Sequence, residues 1–218
     1  MMGIVVSIIF VVSILGMVTL LEQRGFLKGE GARKAIHIAL CHWWLVAMAF
    51  FEGPLEAAFV PGIFVVVNFL SYKTQAIKSM ERGSGKKDLG TVYYAVSLLI
   101  LALWTFEQGQ PEIGALGIFV MGYGDGFAAV FGERFGEKAF YAWGHRKTYV
   151  GSFSAFFFSL LVIALLNAFF PLGLEFYQMF LLAMLAGFLE AFTPWGFDNL
   201  TVPLGISVIA AWMTGGLS

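Results

Sequence analysis

Eight apolar runs, each near the ~20 residues a helix needs to cross a bilayer, occupy residues 3–21, 34–51, 55–70, 89–106, 113–131, 150–170, 174–192 and 199–215. Runs of this kind leave room for little but a helical bundle, because an open sheet in lipid has no partners for its edge N–H and C=O groups. A membrane barrel would alternate apolar and polar residues over ~10-residue strands, and no such alternation occurs. With 59% hydrophobic and 12% charged residues, the chain also carries too little charge to cover a water-soluble surface. The expectation is an all-α, polytopic helical membrane protein with seven or eight transmembrane helices, forming one domain over residues 1–218. The first run is expected to stay as a helix: no positive residue precedes it, and no small-residue cleavage site follows before Glu22.

Charge sorts the loops. All 13 Lys and Arg residues fall in the first, third and fifth connections or at their edges. The second, fourth and sixth connections hold only acids, among them Glu52, Glu107, Glu112 and Glu175. The positive-inside rule then places odd loops in the cytoplasm and both termini outside. The seventh connection, "EAFTPWGFDNL", follows to the cytoplasmic side although it has no basic residue. The single cysteine, Cys41, excludes a disulfide framework and a cysteine-based metal site. Nothing points to nucleic acid as a partner, and oligomeric state is left open. A prokaryotic plasma membrane is the simplest location.

The segment "MGYGDGFAAVFGERFG" sets one carboxylate, Asp125, among glycines and apolar side chains. Asp125 lies seven residues, roughly 10 Å, below the membrane edge at about Gly132. An isolated acid there costs at least about 2.5 kcal/mol, so it should face the bundle interior with a partner. Asp125, Ala129, Gly132 and Gly136 share one helical face, open to a close neighbour or a ligand. Small-residue helix packing accounts for Gly132 and Gly136 without accounting for the acid. Gly122, Gly124 and Gly126 form GxGxG, but Phe127 stands where a dinucleotide fingerprint requires glycine. A P-loop fails as well, with Met80 at its first glycine and Lys87 at its Ser/Thr position.

Three further clusters carry chemistry. His145, Arg146, Lys147 and Thr148 precede the sixth run, where Lys, Arg and helix-start N–H groups suit an anion. Arg33, Lys34 and His37 lie together at the start of the second run, Lys34 reading as a snorkelling anchor and His37 as a satisfied interfacial residue. Glu190, Thr193, Asp198 and Asn199 surround "PWG", whose Pro194 and Gly196 break the helix. Two acids and an amide beside freed backbone suit Mg²⁺, with Asp125 within reach from its own helix.

Five blocks in order, "RKAIHI", "KKDLGTVYY", "GYGDGFAAVFGERFG", "RKTYVGSFSAFF" and "EAFTPWGFDNLTVPL", resemble the CTP-dependent lipid-alcohol kinases. That family includes phytol and other prenol kinases, dolichol kinase and the CTP-using diacylglycerol kinase of fungi. The resemblance implies phosphoryl transfer from CTP to a membrane alcohol with a divalent cation. It matches Arg33 and Lys34 to the family's basic pair, Asp125 and Gly132 to its essential acid and following glycine, Lys147 to its lysine, and Glu190, Asp198 and Asn199 to its last block. Catalytic roles are expected for Asp125, Lys147, Arg33 and Lys34, and a metal site for Asp125 with Asp198 or Glu190. Nucleotide or phosphate contacts fall to Gly124, Gly126, Gly132, Gly136, Arg146, Thr148, Lys87 and Asn199, with His37 near the substrate hydroxyl. Asp125 is open to two roles, metal ligand or general base. The lipid tail is expected between helices lined by some of the 24 phenylalanines. The related cytidylyltransferases that make CDP-lipids are the alternative, disfavoured by the final "DNLTVPL" block. A transporter built on Asp125 and the broken helix is a further one, disfavoured because the acids lie near one membrane face.

Overall fold

The computed structural model describes residues 1–74, 89–170 and 172–216. Lys87 and most of the block before Leu89 therefore lie outside the described residues. Within them the order is α1 (Met2–Gln23), α2 (Glu30–Cys41), α3 (Trp43–Phe50), α4 (Pro54–Thr74), α5 (Gly90–Glu107), α6 (Pro111–Phe135), β1 (Ala139–Ala142), β2 (His145–Thr148), α7 (Tyr149–Phe169), α8 (Phe176–Phe192) and α9 (Asp198–Met213). The chain is an all-α polytopic membrane protein. Five helices, α1, α4, α5, α6 and α7, are long and apolar enough to cross a bilayer, and α8 is a shorter apolar helix.

The organising element is α6. In its most apolar window 78% of residues are buried, against 22% in α1, so α6 forms the centre and α1 the periphery. It packs on α2, α3, α5, α7, α8 and α9, and glycine permits each close approach. A Cβ at Gly114 would lie 2.3 Å from the Trp44 ring of α3, and one at Gly117 the same distance from the Pro203 carbonyl of α9. Gly122 and Gly126 turn to α2, with Cys41 Cβ at 2.8 Å and Ile38 Cγ1 at 2.4 Å from the same constructed position. Gly124 faces α7, 2.6 Å from Ser159 Oγ. All of these are closer than real Cβ contacts allow, so the interhelical distances depend on the missing side chains.

Two features depart from the eight-run expectation. The second run is α2 and α3, interrupted at His42. Continuing the helix would send the His42 N–H to the Ile38 carbonyl, but Cys41 Sγ at 2.9 Å and His42 Nδ1 at 3.0 Å engage that oxygen instead. The backbone N–H turns to Ala39 O, tightening the step between the helices. The fifth connection is a hairpin, with Ala139 opposite Thr148 and Ala142 opposite His145. Its two-residue turn, Trp143 at φ 52° and Gly144 at φ 80°, has the positive φ pair that suits the twist of two strands.

The start of α2, the hairpin and the α8–α9 connection meet at one end of the bundle around a polar cavity of about 340 Å³.

Candidate active site

Three acids from three helices converge there. Asp125 comes from α6, Glu190 from the last turn of α8 and Asp198 from the first residue of α9. All are buried, and one carboxylate oxygen from each lies within 4.8 Å of the others. Two lysines close on the cluster. Lys34, buried on α2, pairs with Asp125, whose Oδ2 also lies 3.7 Å from His37 Nε2. Lys147, on β2, donates to Glu190 Oε1 at 2.5 Å and to the Glu190 carbonyl at 2.7 Å.

Each acid is positioned by a local sequence device. Gly122 and Gly126 let α2 lie against α6, which carries Lys34 to Asp125. The hairpin holds Lys147 over the end of α8, and Thr148 caps α7 by accepting the Gly151 N–H at 3.0 Å. Helix α8 stops before Pro194, and the chain turns through left-handed Trp195 (φ 56°) and Gly196 (φ 76°) into α9. Asn199 fastens that turn: its Nδ2 donates to Gly196 O at 3.1 Å and to Asp198 Oδ1 at 2.9 Å, and its backbone N–H reaches the same Oδ1 at 3.0 Å.

The electrostatics favour one more positive charge. Three carboxylates against two ammonium groups leave the inner cluster one formal negative charge. Glu190 Oε2 and Ser152 Oγ are buried without a hydrogen-bond partner, and both residues line the cavity. Oxygen ligands at this spacing, one of them orphaned, fit a divalent cation. Burial alone would lower the Lys147 pKa, but Glu190 and Asp198 outweigh it and hold the ammonium above its ordinary value. Lys147 therefore stays cationic at neutral pH.

Several residues sit elsewhere than the sequence suggests. Lys34 does not snorkel, because a carboxylate partner inside the bundle is available to it. Arg33 is bound to Glu30, with Nη2 at 2.5 Å from Oε1, and lines a different, apolar cavity. Gly124 and Gly126 face α7 and α2 rather than the polar cavity. Gly132 lines the cavity but also presses on Thr148, and Gly136 packs against Thr148 without lining it. Asn199 holds Asp198 and the turn, and it borders the apolar cavity. Arg146 lines the polar cavity while donating to the Gly136 carbonyl at 3.1 Å. Glu30 and Glu133 also line it and were not singled out from sequence. Glu30 was detectable through its three-residue spacing to Arg33 on a helix.

Known proteins share this chain's sequence over most of its length. The phytol kinase of Synechocystis sp. is 34% identical over 199 residues, 88% of this chain and 82% of that protein. Phytol kinase 1, chloroplastic, of Arabidopsis thaliana is 30% identical, over 90% of this chain and 70% of its own length. Farnesol kinase, chloroplastic, of the same plant is 28% identical over 67% of this chain and 50% of its own. No protein-family model matches the chain, and no solved structure matches it.

Proposed function

The chain belongs to the phytol and related polyprenol kinase family, and from that premise we propose that it phosphorylates the hydroxyl of a membrane lipid alcohol, using CTP as donor and Mg²⁺ as metal. The observation that carries the reading is the meeting of Asp125, Glu190 and Asp198 with Lys34 and Lys147 at one end of a membrane bundle. Phosphoryl transfer asks a protein mainly for charge placement, and this cluster provides it. CTP as donor rests on the resemblance of the five sequence blocks. The basic residues of the odd loops support a cytoplasmic position for this end, where nucleotide is available.

Mg²⁺ held by Asp125, Glu190 and Asp198 would neutralise the nucleotide phosphates. Lys147 and Arg146, both in the cavity wall, meet the phosphate oxygens from the hairpin side. The alcohol oxygen bonds to the γ-phosphorus as the bond from that phosphorus to the β,γ-bridging oxygen breaks. CDP leaves with the electron pair. The hydroxyl proton passes to an oxygen of the product phosphate, since a loose transfer needs no strong base. Asp125 is assigned to the cation rather than the proton, because it lies with two other carboxylates and is already paired with Lys34.

The test is incubation of purified protein and Mg²⁺ with phytol, farnesol or diacylglycerol and CTP labelled at the α or the γ phosphate. Lipid label from γ alone is expected. Label from α identifies a cytidylyltransferase instead, and no label from either position overturns the reading.

A further inference from the structure

On the other side of His37 lies a second cavity, walled by α2, α4 and α5 and closed by Val11 of α1 and Trp43 of α3. Its volume is about 50 Å³, a slot rather than a chamber. Three helices agree on its direction. From Arg33 to Leu40 on α2, from Asn68 back to Pro61 on α4 and from Thr91 to Leu98 on α5, the wall changes from polar to apolar over seven residues, roughly 10 Å each. Asn68 Nδ2 donates to Thr91 O at 3.0 Å, which fixes the polar ends of α4 and α5 at the same level. The His37 ring lies 4.3 Å from that of Tyr94, centroid to centroid, beside this polar mouth.

Unmet hydrogen-bonding capacity marks the slot as a place for a ligand. His37 Nε2 and Tyr94 Oη are buried without a hydrogen-bond partner, and both residues are in its wall. Tyr94 is more than nine-tenths buried. Such groups lose free energy unless something polar reaches them. His37 Nε2 is also the atom that lies 3.7 Å from Asp125 Oδ2, so it stands where the slot adjoins the carboxylate cluster.

We propose that this slot is the acceptor subsite. It takes the hydroxyl-bearing end of a long-chain alcohol, with the hydroxyl at His37 Nε2 and Tyr94 Oη facing Asp125 and the first carbons of the chain directed toward Pro61, Leu98 and Val11. At about 50 Å³ the slot holds only a few carbons of one chain and leaves no room there for the glycerol and second chain of a diacylglycerol. The phenylalanine-rich contacts between α6 and α7 are not part of it, and Phe64 is the one phenylalanine in its wall. The assignment rests on the lipid-alcohol kinase reading for its occupant and on the slot itself for its location.

The test is photolabelling of the full chain in lipid nanodiscs with a farnesol analogue carrying a diazirine on the carbons nearest the hydroxyl. Label is expected on peptides of α2, α4 and α5, displaced by excess farnesol and not by excess diacylglycerol. Label confined to the outer faces of α7 and α8, or displaced equally by both lipids, overturns the proposal. Labelling of the slot without phosphoryl transfer would retain the subsite and remove the kinase reading. Two variants probe the ends. Leu98→Trp should raise the KM for phytol roughly ten-fold while leaving the KM for CTP unchanged. His37→Phe keeps a ring against Tyr94, removes Nε2 and should do the same. Equal changes in both KM values, or none, refute the placement.

Discussion

Lys34 on α2 and Asp125 on α6, 91 residues apart in sequence, form a buried ion pair that joins two helices and faces the polar cavity. Its members do unequal work in folding and in chemistry. The pair compensates two charges inside the bundle, and it also fixes one corner of the carboxylate cluster.

Removing one member exposes that difference. Asp125→Asn keeps the side chain's size and leaves Lys34 buried without a counter-charge, a loss of about 3–5 kcal/mol in stability. Lys34→Met combined with Asp125→Leu should recover much of that stability and no activity. Thermal unfolding in detergent, read beside γ-phosphate transfer, separates the two effects. A folded Asp125→Asn protein with full activity would contradict the assigned role.

A divalent cation held as proposed by Asp125, Glu190 and Asp198 would give a stability signal independent of turnover. A cation bound at a hundredfold excess over its Kd adds about 2.7 kcal/mol. Mg²⁺ should therefore raise the melting temperature of the wild-type protein relative to EDTA. Asp198→Asn should abolish most of the rise, whereas removing Arg146, which pairs with no acid of the cluster, should leave it in place.

Glycine packing predicts a graded response along α6. Gly126→Val forces a branched side chain into Ile38 and should cost roughly 1–3 kcal/mol, prying α2 and Lys34 away from Asp125. Gly124→Ala meets chiefly the Ser159 hydroxyl, a small group with a rotamer to yield, and should cost less. Unfolding midpoints of the two variants in one detergent provide the comparison.

The Lys147–Glu190 pair sets a pH window. The Lys147 pKa is raised in the folded protein, so its stabilisation is fully present below the ordinary lysine value of 10.5 and disappears as pH climbs through the raised value. The stability gap between wild type and Lys147→Met should be constant from neutral pH to that limit and then narrow. A gap that closes near neutral pH would contradict the pairing.

The bundle was legible because apolar run length is a strong signal, and the acids were legible because a carboxylate in such a run needs a reason. Asp125 stood out on that ground, and Glu190 and Asp198 because they flank the helix-breaking "PWG". Their neighbours were harder, because a side chain's direction depends on partners far away in sequence. Lys34 reads as an anchor until Asp125 is placed opposite it. Gly124 and Gly126 read as phosphate contacts until α2 and α7 are set against them. The break at His42 has no proline or glycine to announce it, since two side chains compete for one carbonyl. The hairpin was detectable in its Trp143–Gly144 turn but lay in a stretch dominated by its charges.

The glycine contacts of α6 also bear on how such a protein can change. Where a helix touches its neighbours through missing side chains, nearly every replacement enlarges it, so the floor beneath the carboxylates has little freedom to drift. Leu40, Phe64 and Leu98 stand on other helices, in the wall of the apolar cavity. If that wall is the acceptor subsite proposed above, a lineage adapting to a longer or shorter alcohol would accumulate its substitutions there rather than along α6.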